Sequence, residues 1–323
     1  MNRTSAKKKF ASVIVRSYNR LEACVELLQT LFTQDYDNFE VIVIEQSTTR
    51  PPETVKILQL MEQREPRLRV IQTPPLGPAG ARNLGCRKAE GEILLFIDDD
   101  DLPADKFWIA SHVANYSDPD IIGVNGRDIY EENEHFNYKY SHWAHKHCCR
   151  YNMLGYAHCY ARLNERVEGV DWLRGGNSSI RKKYVELAGE WDERMEDHEE
   201  HSFSLKLKKV LKHPERIVFD PGPTVLRRNW LPGGLDRRNM APKKIYWNHF
   251  RHYHVVIAKY MKARFMVFLP FYPFWILGLT IRYIWDDSRL YQSVTGKLLA
   301  TLNTLLCSPY WYFKSWWKLF RGN

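Results

Sequence analysis

Ile93-Leu94-Leu95-Phe96-Ile97-Asp98-Asp99-Asp100-Asp101 is the stretch that decides how this chain folds. Its five apolar residues lie between Gly91 and Asp98, and they have the length and composition of a strand buried on both faces of a parallel sheet. The four carboxylates that follow repel one another, so a folded chain that gathers them calls for a cation to share. They fall at the carboxyl end of the strand, the edge at which open α/β sheets bind ligands. Hard oxygen donors there suit Mg²⁺ or Mn²⁺, which in turn bridge nucleotide phosphates. The plainer alternative is a solvated acidic turn that caps a helix opened by Pro103.

Upstream of this run, strand-like and helix-like segments alternate. Val13 to Val15, Phe39 to Ile44 and Leu68 to Gln72 are short apolar strands. Between them, Leu21 to Phe32 places Leu21, Cys24, Leu27, Leu28 and Leu31 at helical spacing, and Glu53 to Gln63 and Ala79 to Lys88 also suit helices. This order predicts an α/β fold: a doubly wound, mainly parallel sheet flanked by helices. In such a sheet the strand ends share one edge. That edge gathers Ser17, Tyr18 and Arg20 after the first strand, Glu45 and Ser47 after the second, and the aspartates after the fourth. Tyr18 can stack on a base and Glu45 can accept an imide N–H, so the edge suits a nucleotide. Gly80 and its neighbouring alanines allow close approach at a helix N-terminus, which favours anions, with Arg82 placed in the first turn to reach a diphosphate. An ordinary Gly/Pro loop with a solvent-facing arginine is the alternative.

The ordered set of Ser12–Arg20, Phe39–Ser47, Gly80–Gly85 and Gly91–Asp101 resembles the family 2 inverting glycosyltransferases of the GT-A fold, from about residue 11 to about 230. The resemblance implies a nucleotide-sugar donor of UDP, GDP or dTDP type, bound through Mg²⁺ or Mn²⁺. By the family pattern Asp98 and Asp100 are the D-x-D pair on the metal. Ser17, Tyr18, Arg20, Glu45, Ser47, Gly80, Arg82, Asn83, Asp98 and Asp99 then fall at the donor. Glu45 stands where the family usually has an aspartate reading the base. Trp172, Arg174, Gly175, Gly176 and Asn177 resemble the segment lining the sugar pocket. The family's catalytic base is the second acid of a pair opening a helix, and two registers fit. Phe203, Leu205 and Leu207 at helical spacing favour Glu199-Glu200 with Glu200 as base; the literal match is Glu196-Asp197 with Asp197. Acids also suit a helix start for its dipole alone. Where the family often has a histidine ligand, Val225-Leu226-Arg227-Arg228 has none, and an arginine there can assist the diphosphate.

The charge is unevenly spread. Residues 241–323 hold twelve Lys/Arg, two Asp and six of the eleven tryptophans, whereas residues 1–240 hold 35 basic and 36 acidic side chains. A boundary is expected near 240, with a catalytic domain over 1–240 (nucleotide half about 11–105, acceptor half about 106–240) and a basic, aromatic-rich tail over 241–323. Such a tail suits an anionic membrane surface. Phe265 to Ile281 spans roughly 25 Å as a straight helix, marginal for crossing a bilayer, and Pro270, Pro273 and Gly278 interrupt it. Leu298 to Phe313 is similarly short. Interfacial or re-entrant helices are therefore expected, with a transmembrane hairpin or a soluble helical lid as alternatives. The stretch before Val13 is too polar for a signal-peptide core, so the expected location is the cytoplasmic face of the membrane, peripheral or monotopic, with a glycan or lipid-linked acceptor.

The six cysteines form no C-x-x-C pair and imply no disulfides. His142 to Cys159 carries zinc-suitable side chains at spacings that match no standard finger, so packing or an acceptor-binding insertion is the expected role. Two other functions fit parts of the chain. A sugar nucleotidyltransferase shares the core but normally places a Gly-rich basic loop after the first strand, and Arg16–Arg20 has no glycine. A nucleic-acid-binding protein lines a polar face with its basic residues, whereas here they flank apolar segments, so no nucleic-acid partner is expected.

Overall fold

Strand alternation sets the layers. Val13, Val15, Val41, Val43, Leu95 and Ile97 pack into one apolar cluster, while Ile14, Ile42, Ile44, Leu94 and Phe96 pack into another. A strand whose odd and even positions are both apolar must be covered on both faces. The computed structural model describes residues 8–130, 150, 163–195, 198–228 and short stretches between 293 and 317. The chain forms two compact units. The first comprises 1–151, 157–194 and 199–235, and the second 152–156, 195–198 and 236–323.

The first unit contains one sheet. Strands β1 (Ala11–Ser17), β2 (Phe39–Glu45), β3 (Leu68–Gln72) and β4 (Ile93–Asp98) lie side by side and parallel in the order β3-β2-β1-β4. Helices α1 (Leu21–Leu31), α2 (Pro52–Arg64) and α3 (Gly77–Lys88) link them. These elements follow the segments predicted from sequence. Residues Leu21, Cys24, Leu27, Leu28 and Leu31 of α1 are all buried, as their spacing requires.

Beyond β4 the sheet becomes mixed. It continues through β8 (Ser178–Arg181), β6 (Ile121–Tyr130), β9 (Arg216–Arg227) and β5 (Asp101–Pro103), with β7 (Val167–Val170) paired to β9. The pairings β4–β8, β6–β8, β5–β9 and β7–β9 are antiparallel. The expected mainly parallel sheet is thus corrected to a mixed one: β1 to β4 pair parallel and so do β6 and β9, but β8 enters beside β4 running the other way, and β5 and β7 also pair antiparallel. Pro103 opens no helix; it ends β5, and the next helix is α4 (Trp108–Ala114). A 3-10 turn at Asn115–Ser117 and helices α5 (Lys182–Ala188) and α6 (Glu199–Val210) also belong to the first unit.

Register places the site. Arg16 pairs with Asp98 across β1–β4, and Ser17 with Glu45 across β1–β2. Ser178 lies opposite Phe96, so the residues preceding Ser178 run over the end of β4 towards the aspartates.

Of the second unit, the described residues between 293 and 317 include helical turns with exposed Val294, Leu298, Leu302, Leu306, Tyr310 and Trp317. No helix among the described residues is long and apolar enough to cross a membrane. The segment 265–281 and the Cys/His-rich stretch 142–159 lie outside the described residues, Arg150 excepted.

Helix α3 rests directly on β1 at Gly85, where an added Cβ would overlap the Ile14 side chain. Gly85→Ala is expected to destabilise the fold by about 1–3 kcal/mol through overpacking, measured by denaturant unfolding; unchanged stability would contradict this contact.

Candidate active site

The four aspartates are met by arginines from separate elements. Arg16 on β1 donates through Nε and Nη2 to Asp98 Oδ1 at 3.1 and 2.9 Å. Arg20, in the loop after β1, pairs with Asp100 and lies 3.3 Å from Asp99. Arg227 at the end of β9 reaches Asp98 Oδ2 at 3.4 Å and Asp101 Oδ2 at 3.3 Å. Burial opposes charge on Asp98, but Arg16, Arg227 and Arg82 outweigh it and hold that carboxyl well below the usual range. Asp99 goes the other way. Burial pushes it up to about 7, with Asp100 and Asp98 adding to the rise against Arg20. Asp101 is fully buried, its oxygens accept no hydrogen bond, and burial raises it well above the usual value.

Two bare glycines cross this edge. A Cβ on Gly176 would sit 2.6 Å from Asp98 Oδ2. A Cβ on Gly175 would overlap Arg82 Nη2 and Glu200 Oε1. The aspartate run and the Glu199-Glu200 pair therefore lie against adjacent residues of one segment. Helix α6 opens on Glu199 and Glu200, matching the register based on Phe203, Leu205 and Leu207. Asp197, the alternative base, lies outside the described residues.

Arg82 sits in the second turn of α3, not the first, because the helix already starts at Gly77. Its guanidinium is enclosed, donating to Gly175 O at 3.2 Å, Glu199 Oε1 at 2.7 Å and Glu200 Oε1 at 3.3 Å. Expected at the diphosphate, it here holds the acid pair. Glu199 takes the shorter bond and is the more buried; the Glu200 side chain keeps 24% exposure. Burial and then Glu199 raise Glu200 above the ordinary glutamate range, against the pull of Arg82.

Asn177 was expected in the sugar pocket, but it turns inward. It is fully buried with φ 47°, and its Oδ1 accepts from Trp108 Nε1 at 2.9 Å and lies 3.3 Å from His112 Nε2. Its amide donates to Arg127 O at 2.7 Å. His112 Nδ1 lies 3.0 Å from Ser179 Oγ, which accepts from Tyr116 at 2.8 Å. The ring is thus neutral with its proton on Nε2, the one tautomer that satisfies both neighbours. This knot anchors the segment whose preceding residues are the two glycines.

Other expected donor residues are spread over several tasks. The Tyr18 N–H donates to Asp99 Oδ2 at 3.3 Å, and Ser47 Oγ accepts from the Asn19 N–H at 2.7 Å. Ser17 O accepts the Gln46 N–H at 3.0 Å, tying the two loops together. Glu45 is buried, accepting from the Ser47 N–H and from Arg50 Nε at 2.5 and 2.6 Å, so its carboxylate already has partners in place of a base. It also lines a cavity of about 340 Å³ with Leu58, Val70 and Gln72. Gly80 faces Leu76 at 2.9 Å from an added Cβ, which makes it a packing glycine within α3. Asn83 is buried and binds both the N–H and the carbonyl of Trp191. Trp172 stacks on His201 with centroids 4.1 Å apart, and Arg174 pairs with Asp128. Arg16, Arg50, Asp128 and the Asn177 knot were not anticipated as site residues. The Arg16–Asp98 register was the one signal in the sequence that could have found any of them.

Among the described residues no three His, Cys, Asp or Glu side chains converge as metal ligands. The donor set nonetheless fits a hard divalent cation. Asp98 and Asp100 offer carboxylates, and Asp101 has buried oxygens without hydrogen bonds. Mg²⁺ is commonly held by one or two carboxylates, with waters and substrate phosphates completing its shell.

Burial lowers His112 to about 4, with its bond to Asn177 and the field of Asp220 opposing. The unfolded chain takes up that proton near pH 6.5 while the folded chain resists until about 4. Stability therefore falls as pH drops through that window, by roughly 3 kcal/mol. His112→Gln is expected to flatten this part of the profile, measured as unfolding free energy between pH 7 and 4; an unchanged slope would place its cause elsewhere.

Comparison with known proteins gives the family and the fold. The model for "Glycosyl transferase family 2" matches residues 12–185. An uncharacterised glycosyltransferase of Rickettsia bellii is 36% identical over 91 residues, 28% of this chain and 13% of that protein. The Staphylococcus aureus poly(ribitol-phosphate) beta-N-acetylglucosaminyltransferase TarS is 33% identical over 130 residues, 36% of this chain and 22% of TarS. The matches thus span a small part of these relatives' length. In three dimensions, TarS 1–349 with UDP-GlcNAc superposes with TM-score 0.54 at 19% identity, covering 97% of this chain and 92% of that one. A Pyrobaculum calidifontis mannosyltransferase in complex with GDP-Man and Mn²⁺ gives 0.58 at 16%, covering 96% and 85%. The fold is that of these enzymes, and the chain belongs to glycosyl transferase family 2.

Proposed function

We propose that this glycosyltransferase moves a sugar, with inversion, from a nucleoside-diphosphate sugar to a hydroxyl of a glycan or lipid-linked acceptor. One observation carries the reading: adjacent bare glycines have the aspartate run against one and the Glu199-Glu200 pair against the other. A leaving-group site and a base then lie against one stretch of backbone. The UDP-GlcNAc and GDP-Man bound in the superposed structures support the donor class. Mn²⁺ in the latter supports a divalent cation on Asp98 and Asp100. When bound, that cation would supply positive charge to the departing diphosphate.

The protein's own groups do the rest. Glu200 accepts the acceptor hydroxyl's proton, and its raised pKa makes it a stronger base than an ordinary glutamate. The acceptor oxygen forms its bond to the anomeric carbon as the bond to the diphosphate oxygen breaks, its electron pair leaving with the diphosphate. Arg82 keeps both acids in place, and Glu199 takes up most of its charge through the shorter bond. Buried Trp191 and Phe203, stacked at 3.8 Å, support the start of α6 from below.

The basic tail and the exposed leucines between 293 and 317 support a further element of the reading: the second unit holds the enzyme on the cytoplasmic face of an anionic membrane. Purified full-length protein is expected to float with vesicles containing anionic lipid and to remain unbound to zwitterionic ones. Equal binding to neither removes the membrane from the reading.

The activity is tested by offering UDP-, GDP- and dTDP-sugars with Mg²⁺ or Mn²⁺ and following donor hydrolysis or transfer. One donor is expected to react, and EDTA to abolish the reaction. Glu200→Gln should lower kcat by about 100-fold or more, and the wild-type kcat/KM should fall below a pKa above the ordinary glutamate value. Near-normal turnover in Glu200→Gln with loss in Asp197→Asn moves the base to Asp197. No reaction with any donor defeats the proposal.

A further inference from the structure

Asn19 stands between two residues that hold the aspartates. On one side the Tyr18 N–H donates to Asp99 Oδ2 at 3.3 Å, and on the other Arg20 pairs with Asp99 and Asp100. Asn19 itself bonds to the loop after β2. Its N–H donates to Ser47 Oγ at 2.7 Å, and its Oδ1 accepts the Thr48 N–H at 2.9 Å, the Thr49 N–H at 3.1 Å and the Thr48 hydroxyl at 3.3 Å. One side-chain oxygen thus gathers two successive backbone N–H groups that lie 29 and 30 positions along the chain. Asn19 adopts φ 55°, the left-handed region that asparagine tolerates better than most side chains.

The loop it grips is tied onward. The Gln46 N–H donates to Ser17 O at 3.0 Å, and Gln46 Oε1 accepts the N–H of Leu76, the residue that caps α3, at 2.9 Å. The loops at the carboxyl ends of β1, β2 and β3 are therefore hydrogen-bonded to one another in series, and Asn19 is the side chain that joins the β2 loop to the aspartate corner. A nucleoside diphosphate has two ends, a base and a diphosphate. It gains contacts at both only where the protein keeps two surfaces at a fixed separation, and a loop left to order on binding subtracts from the affinity. We propose that Asn19 is a positioning residue that fixes the loop 46–50 against the aspartate corner, so that both ends of the donor nucleotide are met by a preformed edge. This rests on the nucleoside-diphosphate-sugar reading above. Asn19 touches no reacting atom in this role. Its loss weakens the free nucleotide and raises the donor KM while leaving kcat and the acceptor KM in place.

Three substitutions separate the backbone from the oxygen. Asn19→Gly keeps access to positive φ but removes the acceptor, Asn19→Asp keeps both, and Asn19→Ala loses both. Calorimetric titration of UDP, GDP and dTDP with Mg²⁺ into the full-length protein reads the affinity, steady-state kinetics read KM and kcat, and unfolding midpoints are measured alongside. For the nucleotide that the wild type binds, Asn19→Gly is expected to weaken binding by about 10-fold and Asn19→Ala by about 30-fold, with kcat within about 2-fold of the wild type. Asn19→Asp should restore affinity to within about 3-fold of the wild type. A folded Asn19→Gly with wild-type affinity, an Asn19→Asp that binds no tighter than Asn19→Gly, or a loss confined to kcat overturns the inference and leaves the donor reading standing. Should Asn19→Gly not fold, Ser47→Ala breaks the same tie from the other loop. It is expected to weaken the nucleotide by about 3-fold, and wild-type affinity there overturns the inference. A wild-type chain that binds none of the three nucleotides overturns the donor reading, and this inference with it.

Discussion

Four adjacent carboxylates at a strand end are the constraint around which this molecule is arranged. At an effective dielectric of about 20, two unit charges 4 Å apart repel by about 4 kcal/mol. Several such pairs at one corner need opposing charge from nearby. The fold supplies it from three directions: Arg16 from β1, Arg20 from the loop that follows, and Arg227 from the far end of β9. Arg16 and Arg227 are delivered by backbone pairing. Parallel register sets Arg16 beside Asp98, and antiparallel register sets Arg227 opposite Asp101. The opposed states of the acids follow, with Asp98 held charged between arginines while Asp99 and Asp101 are pushed towards the neutral form by burial.

The second half of the sheet exists to bring backbone over that corner. Strand β8 runs antiparallel to β4, so the chain enters β8 from the aspartate edge with Gly175 and Gly176 just before it. A side chain at either glycine would occupy the space beside Asp98 or beside Glu200. The buried Asn177 knot fixes the segment at its next residue, with partners on α4 and β6. Positioning by buried hydrogen bonds, with the reactive face left bare, is how a site holds geometry without filling itself.

The part of the fold from β1 to β4 was legible in the sequence because its strands are continuous apolar runs and its helices carry clear periodicity. Leu68–Gln72 falls where the pattern put it, and Leu21 to Leu31 forms the predicted helix. The acceptor half was legible only as motifs. The pairing of β6, β8 and β9 joins residues about 50 to 100 positions apart, and no local period reports whether such partners run parallel. The same limit explains the displaced roles. Arg82, Asn83 and Asn177 stand in the anticipated motifs, but which way each side chain turns depends on what packs against it. For Arg82 that is a helix more than a hundred residues away. Phe203, Leu205 and Leu207 carry the helical spacing, and α6 begins at Glu199.

Arg82 also explains how two adjacent glutamates come to differ. A guanidinium between equivalent carboxylates would stabilise both as anions and make both weak bases. Here the helix geometry places Glu199 inside, at 2.7 Å, and leaves Glu200 at 3.3 Å on the open side beside Gly175. Glu199 then acts on its neighbour as a fixed negative charge that resists the ionisation of Glu200, while Arg82 keeps the pair from being driven fully neutral. Removing Glu199 would free Arg82 to bond Glu200 fully, lowering its basicity without touching the residue itself. The first acid of the pair is therefore a determinant of the second acid's strength, and the arginine sets the balance between them.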